Sequence, residues 1–228
     1  MKKYDILIIG AGMVGLTLAL AIRKLSSLTV AIADMQAIDE LSAEPELRVS
    51  AINAASQAIF ENLGVWQNII EMRSQPYHHM HVWDKAGFGK LAFSDEQLST
   101  KQLGYIIENK VIRNTLWQQA QSDTGIDFYT EEAISNIGIG DSEVFASFTA
   151  QMPITAKCVV GADGANSWLR QQLKMPMTFR DYDHHAIVAT VACSQGHSET
   201  AWQVFLETGP LAFLPLKSAL NNGHVTSI

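Results

Sequence analysis

The 228-residue sequence predicts an α/β fold in which a parallel βαβ unit is interleaved with an antiparallel sheet. Three observations carry this. Residues 4–9 (YDILII) form a short apolar run of the kind buried on both faces of a parallel sheet, and the run enters a glycine-rich turn at Gly10. Residues 13–25 then show helical spacing, and residues 28–33 (LTVAIA) make a second apolar run closed by Asp34. Together they give a unit of about 30 residues, the size of one βαβ crossover. Further along, short alternating runs separated by turn signals predict antiparallel strands.

Each element has a local reason. The first helix ends in Arg23 and Lys24, where cations complement the helix dipole. Residues 35–47 are polar and contain Pro45, so a loop is expected. Asn53–Leu63 reads as an amphipathic helix stopped by Gly64, suited to a left-handed cap. Residues 77–83 and 88–93 alternate as strands around Gly87 and Gly89, and Val111–Gln121 is again helical. Strands are expected at 126–130, 133–138 and 143–149, the last two joined at Gly140-Asp141. The buried run 157–162 leads into Asp163-Gly164, and a helix starts near Asn166. From 184 to 228 the chain is strand-rich, with a turn at Asn221-Asn222-Gly223 before the final residues.

Composition sets the class. The chain is 47% hydrophobic and 17% charged, as in globular proteins. A net charge of −7 with no Lys/Arg run speaks against nucleic acid as a partner. The N-terminal apolar run is broken by Asp5 and glycines, unlike a secretory signal, and no stretch is long enough to span a bilayer. A cytoplasmic location is expected. Cys158 and Cys193 lie in apolar stretches and read as buried free thiols of a reducing compartment.

The strongest chemical signal is G-A-G-M-V-G, which sets Gly10, Gly12 and Gly15 in dinucleotide-binding spacing. The first glycine permits the tight turn, the second lets backbone approach a pyrophosphate, and the third lets helix and strand pack closely. The phosphates then meet the free amides of a helix N-terminus. Asp34 lies about 20 residues beyond the last glycine, where a carboxylate accepts ribose hydroxyls and repels a 2′-phosphate. The bound group is FAD or NAD. By contrast, His78, His79 and His81 in Y-H-H-M-H lack the convergent ligands of a metal site and read as a half-exposed strand, so no metal is expected. His184-His185 reads the same way. Trp202, Phe205, Phe213 and Pro215 are candidates for lining a pocket for an apolar ring, or for the packed face of a sheet.

Three segments resemble the flavoprotein aromatic hydroxylases. C-V-V-G-A-D-G-A-N-S-W-L-R (158–170) is similar to the Asp-Gly motif of that family, here Asp163 and Gly164. E-L-R-V-S-A-I-N-A-A-S (46–56) resembles the stretch whose arginine, here Arg48, approaches the FAD diphosphate. V-I-R-N-T-L-W (111–117) resembles the Arg-x-x-Leu helix opening, here Arg113 and Leu116, with the arginine facing the cofactor. With L-G-V-W, V-W-D-K, G-Y-I-I-E-N-K-V-I and G-P-L-A-F-L-P-L, the chain resembles the ubiquinone-biosynthesis hydroxylases over essentially its whole length. It is most similar to their VisC-like 2-octaprenylphenol hydroxylase subgroup.

The resemblance implies a glutathione-reductase-type, Rossmann-like FAD domain with an inserted substrate domain. Residues 1–75 and 101–175 would belong to the FAD-binding part, and residues 76–100 and 176–228 to the substrate sheet. It also implies a monooxygenase that uses FAD, NAD(P)H and O2 to hydroxylate a polyprenylphenol, with no protein side chain named as catalytic. Partners implied are the prenylated phenol, an assembly of ubiquinone-biosynthesis enzymes, and peripheral membrane contact through the lipid substrate. Family members continue into a second FAD motif, G-D-A-A-H, which this sequence lacks, so C-terminal truncation and an inactive fragment are expected. Two other functions remain open: a non-hydroxylating flavin oxidoreductase such as a prenyl-chain reductase, and a nucleotide-binding accessory protein without chemistry.

Overall fold

The computed structural model describes residues 1–218 and 225–228, so the turn expected at Asn221–Gly223 lies outside the described residues. The chain opens with β1 (Lys2–Ile9), α1 (Met13–Leu25) and β2 (Val30–Asp34). It continues through β3 (Val49–Ile52), α2 (Ala54–Asn62), α3 (Trp66–Arg73), β4 (Ser74–Tyr77), β5 (His79–Asp84), β6 (Lys90–Ser94), α4 (Asp95–Leu98) and β7 (Gly104–Glu108). Then come α5 (Asn109–Gln121), β8 (Ile126–Thr130), β9 (Ile134–Ile139), β10 (Val144–Phe148), β11 (Ile154–Gly161) and α6 (Trp168–Gln172). The last strands are β12 (Thr190–Ala192), β13 (Thr200–Leu206), β14 (Gly209–Leu216) and β15 (Val225–Ser227).

Contacts divide the chain into two units, Met1–Glu40 with Arg113–Tyr182, and Leu41–Ile112 with Asp183–Ile228. The first carries the sheet β8-β2-β1-β11-β10-β9. Its first four strands run parallel, and β10 and β9 close it as an antiparallel meander. Leu7 and Ile8 are consecutive, so they point to opposite faces, and both are fully buried. The sheet is therefore covered on both sides at that level, which is why β1 reads as one unbroken apolar run. Tyr4 packs edge-on against Tyr129, and its hydroxyl lies 2.9 Å from the Tyr129 hydroxyl and donates to Asp127 Oδ2 at 2.7 Å. Burial first, then these bonds, raises the Tyr4 hydroxyl well above the usual phenol range.

The second unit holds two sheets, β12-β15-β14-β13-β5-β6 and β3-β7-β4. The division differs from the expected one because residues 41–75 and 101–112 build the three-stranded sheet of this unit instead of joining the βαβ sheet. The larger sheet also departs from the antiparallel expectation: β5 and β13 are distant in sequence and pair in parallel. Ile106, Leu216 and Val225 form a core with Val49, Tyr77 and Leu214. Next to it sits a buried ion pair, with Arg73 Nε 2.9 Å from Glu108 Oε1. The same arginine donates to the carbonyls of Ser42 and Ala43, and Glu108 accepts the Glu46 amide at 2.7 Å, so the polar loop before β3 is tied down.

Local signals account for most boundaries. Asn53 caps α2 by accepting the Ser56 amide at 2.9 Å, and Gly64 takes φ +75° beyond its end. Helix α3 has no expected counterpart; Trp66 anchors it by stacking on Phe60 and meeting Tyr105 edge-on. Residues 184–189 contain no strand, and only Thr190–Ala192 of that apolar stretch pairs, with β15. Cys158 is a further correction. It is exposed, and so is its neighbour Lys157, so β11 is open on both faces at that level. Cys193 is half-buried. No described helix is long and apolar enough to cross a membrane.

Candidate functional site

The glycine turn, the ends of β2 and β11 and the start of β9 enclose a cleft of about 540 Å³ in the first unit. Gly10, Gly12, Asp34, Asp163 and Gly164 all line it. The three glycines are required for different reasons. Gly10 has φ +109°, and a Cβ there would lie 2.4 Å from the Ala162 carbonyl oxygen. A Cβ on Gly15 would meet the Gly10 carbonyl oxygen. Those two glycines are demanded by the protein's own packing. Gly12 is not: its φ is −78°, and a Cβ built on it meets nothing within 4 Å. Its missing side chain leaves space in the cleft itself.

Gly12 is also the N-cap of α1, and no side chain caps the helix there. The first turn carries no acidic residue, so its amides are free to bind an anion. The turn is held from two sides. Asp34 Oδ2 accepts the Ala11 amide at 2.6 Å, and Oδ1 accepts the Gln36 amide at 2.8 Å. Each carboxylate oxygen keeps capacity for another hydrogen bond, which suits a ribose hydroxyl. Arg113 donates from Nε to the Ala11 carbonyl at 3.0 Å and from Nη2 to the Ala37 carbonyl at 3.1 Å. Its guanidinium also lies 5.4 Å from the Trp117 ring centre. Arg113 therefore braces the turn through its backbone, and it is not among the residues that line the cleft. Leu116, one turn further along α5, is fully buried.

Asp163 borders the cleft, with its carboxylate engaged by the Ser167 hydroxyl and, at 3.2 Å, by the Leu169 amide. It fastens the turn into α6, while Gly164 supplies φ +85° with open space around it. Arg48 belongs to the second unit and is exposed. Among the described residues its guanidinium has no hydrogen-bond or ion-pair partner. Glu46, two residues before it, is held by Lys110 at 3.2 Å.

Other cleft residues went unnoticed in the sequence: Gln36, Glu132, Ala133, Asn166 and Trp168. Glu132 accepts the amides of Ala150 and Gln151, tying the crossover before β11 to the cleft rim. Its predecessor Glu131 takes φ +60°, a turn with no glycine to announce it. Asn166 and Trp168 lay inside the Asp-Gly segment without being singled out.

In the second unit, strand pairing settles which aromatics share a face. Trp202 stands opposite both Phe213 and His81. Pro215, two residues beyond Phe213, shares their face. Phe205, three residues beyond Trp202, points to the other face, so the four aromatic and proline candidates do not line one surface. Trp202 stacks on His81 with centroids 4.6 Å apart and meets Trp83 edge-on at 6.2 Å.

A parallel sheet, a glycine turn at a helix N-terminus and a carboxylate closing the second strand define a dinucleotide-binding domain. The chain belongs to the FAD-binding domain family, whose model matches residues 3–226. It is 31% identical over 216 residues to the 3-demethoxyubiquinol 3-hydroxylase of Escherichia coli K12, covering 94% of this chain and 55% of that protein. It is 32% identical over 235 residues to the mitochondrial ubiquinone biosynthesis monooxygenase COQ6 of Xenopus tropicalis, covering 96% and 50%. The chain thus spans about half the length of these relatives. Among solved structures, PqsL of Pseudomonas aeruginosa in complex with 2-aminobenzoylacetate superposes with a TM-score of 0.79 at 16% identity, covering 99% of this chain and 59% of that one. The p-nitrophenol 4-monooxygenase PnpA of Pseudomonas putida gives 0.69 at 14% identity, covering 100% and 57%. At such identities the likeness is one of fold. FAD is the cofactor of the family, and the open space at Gly12 fits its pyrophosphate.

Proposed function

We propose that the protein is an FAD-dependent monooxygenase that hydroxylates the aromatic ring of a polyprenylphenol in ubiquinone biosynthesis. The observation that carries this reading is Gly12, a glycine that neither backbone conformation nor packing requires, set where a pyrophosphate would meet the amides of α1. The ubiquinone-biosynthesis names of the relatives support the substrate class. In this reading the turn at Gly10, Gly12 and Gly15 takes the pyrophosphate, and Asp34 takes the ribose. Asp163 and Gly164 form the opposite lip of the cleft. When bound, the flavin carries electrons from NAD(P)H to dioxygen and supplies the activated oxygen; the protein's part is to hold the ring and keep water away. Trp202, Phe213 and Pro215 offer an apolar face suited to a prenylated ring.

The test is product analysis of the intact protein with FAD, NAD(P)H, dioxygen and a prenylphenol. A hydroxylated ring carrying one oxygen from dioxygen is expected, with no product under anaerobic conditions. A product formed equally well without dioxygen would point to a prenyl-chain reductase. No flavin reduction by NAD(P)H would leave only an accessory nucleotide-binding role.

A further inference from the structure

In the larger sheet of the second unit, β6 is an edge strand among the described residues. Its pairing with β5 fixes which way its backbone points. The Asp84 amide donates to the Gly89 carbonyl at 3.2 Å, and the Asp95 amide to the His78 carbonyl at 3.1 Å. Bonded and non-bonded pairs alternate along an antiparallel ladder, so Leu91 and Phe93 bond inward to Val82 and Met80. Lys90, Ala92 and Ser94 fall at the non-bonded pairs, and their N–H and C=O groups point away from the sheet. Ser94 caps α4, with its amide 3.3 Å from Gln97 Oε1. Among the described residues nothing pairs with the outward groups of Lys90 and Ala92.

The strand is its own complement. An antiparallel pairing centred on Ala92 sets Ala92 against its counterpart, Leu91 against Phe93 and Lys90 against Ser94 across a two-fold. Leu91 and Phe93 are 61% and 42% exposed, and each would cover the other. The charges match as well. Lys90 opens β6 without an ion-pair partner among the described residues, and Asp95 and Glu96 follow its end. Asp95 is already clasped by His78, whose Nδ1 is 2.6 Å from Asp95 Oδ2 and whose Nε2 is 3.3 Å from Glu199 Oε2. Glu96 is therefore the acid left for Lys90 across the two-fold. Other centres fit worse: at Leu91, Phe93 would face Gly89, and at Lys90 two lysines would meet.

We propose that two copies of this chain join at β6, antiparallel about a two-fold at Ala92, so that their sheets become one. Neither a proline nor a bulge guards this edge, and its single charge sits where the two-fold brings an acid. The strand has five residues, far fewer than the roughly 20–30 a side of a stable interface. The dimer is therefore a weak one that forms with rising concentration. The proposal is independent of the reaction the protein carries out.

The test is sedimentation of the intact protein across the micromolar to millimolar range, where wild type should pass from monomer to dimer. Ala92→Pro removes an amide that no bond within the chain uses, so it should fold with a Tm near wild type yet stay monomeric. Lys90→Glu and Glu96→Lys, both surface changes, should each weaken the dimer about tenfold. Mixing those two variants should restore it, and they carry the test if Ala92→Pro does not fold. In a Cys158→Ser background, oxidised Ala92→Cys should give a disulfide-linked dimer, because Cα atoms opposed in a bonded pair lie about 5.5 Å apart. Leu91→Cys should not. A monomer at every concentration, a dimer indifferent to Ala92→Pro, or cross-linking at residue 91 in place of 92 overturns the proposal. A monomer that floats with phosphatidylglycerol vesicles until the exposed Phe88 is changed, as in Phe88→Ser, would assign this edge to lipid and overturn it equally.

Discussion

The cleft at the glycine turn and the aromatic face of the second unit are assembled by different means. Gly10, Gly12, Gly15 and Asp34 come from a single βαβ unit, and the surrounding polar groups are bound within the protein: the Ala11 amide by Asp34, the Ala11 carbonyl by Arg113. The turn therefore has its shape before any ligand arrives. His81 comes from a strand far in sequence from the hairpin that carries Trp202 and Phe213, and it meets them only through the parallel pairing of β5 with β13. A slip of one residue in that pairing would send the His81 ring to the opposite side of the sheet. Short-range geometry makes the first site rigid, whereas long-range register makes the second.

The largest effects should separate the glycines. Gly10→Ala forces a Cβ to 2.4 Å from a backbone carbonyl oxygen at a positive φ. It should cost about 3 kcal/mol or more, seen as a large drop in Tm or as insoluble protein. Gly12→Val should leave stability within about 0.5 kcal/mol of wild type, since nothing lies within reach of its Cβ. FAD affinity should nevertheless fall about 100-fold or more, the worth of two lost charge-assisted hydrogen bonds. Normal flavin occupancy in a folded Gly12→Val protein would remove the pyrophosphate from this turn.

Next in size is the buried pair of the second unit. Arg73→Met should cost about 3 kcal/mol at neutral pH, because it strands the Glu108 carboxylate, which is 4% exposed. Burial already pushes the Glu108 carboxyl above its usual range, against the lowering effects of the Glu46 amide and Arg73. A carboxyl raised in the folded state contributes stability that is present at low pH and lost as pH rises through the folded value. The penalty for Arg73→Met should therefore shrink as the solution is acidified through the carboxylate range. A penalty constant from neutral to acid pH would mean that Glu108 is not the stranded group.

A smaller change tests whether the turn is held from behind. Arg113→Lys keeps the charge but cannot reach the carbonyls of Ala11 and Ala37 with one planar fork. A loss of about 1 kcal/mol is expected, with weaker FAD binding although residue 113 does not border the cleft. Unchanged denaturation midpoint and unchanged FAD affinity together would show that the brace is dispensable.

How far each region could be read from sequence follows from the same distinction. The βαβ unit, the glycine turn, Asp34 and Asp163-Gly164 are governed by short-range spacing, and the structure brings them to one cleft. The meander β9–β10 was equally legible from alternation. What escaped depends on distant neighbours. Arg113 matches a motif, yet only the fold shows its fork spent on two carbonyls. Phe205 was grouped with Trp202 by aromaticity, whereas a three-residue offset on a strand puts them on opposite faces. Cys158 read as buried because its neighbours are apolar, but among the described residues both it and Lys157 are exposed on β11. The three histidines looked alike in sequence because their differences lie in carboxylates and rings contributed by residues 95, 199 and 202.

The smallest predicted effect addresses those histidines. The hydrogen bond from His78 is the main cause that lowers the Asp95 carboxyl below its usual range, aided by the Glu96 amide and offset in part by burial. A carboxyl lowered in the folded state contributes stability that is present above its unfolded value and lost as pH falls through the folded value. Wild type should thus hold its Tm further into acid than His78→Gln, whose acid limb should begin at higher pH. The two curves should converge once Asp95 is protonated in both. The difference will be modest, because Glu199 is half exposed and solvent screens the clasp. His81→Gln should leave the acid limb where wild type has it, since no carboxylate stands on the face of its ring. A thermal-melt series across the acid range in the three proteins decides the matter. If His81→Gln moves the limb as far as His78→Gln does, the two histidines share one electrostatic environment, and the hydrogen bond from His78 is not what holds the Asp95 carboxyl down.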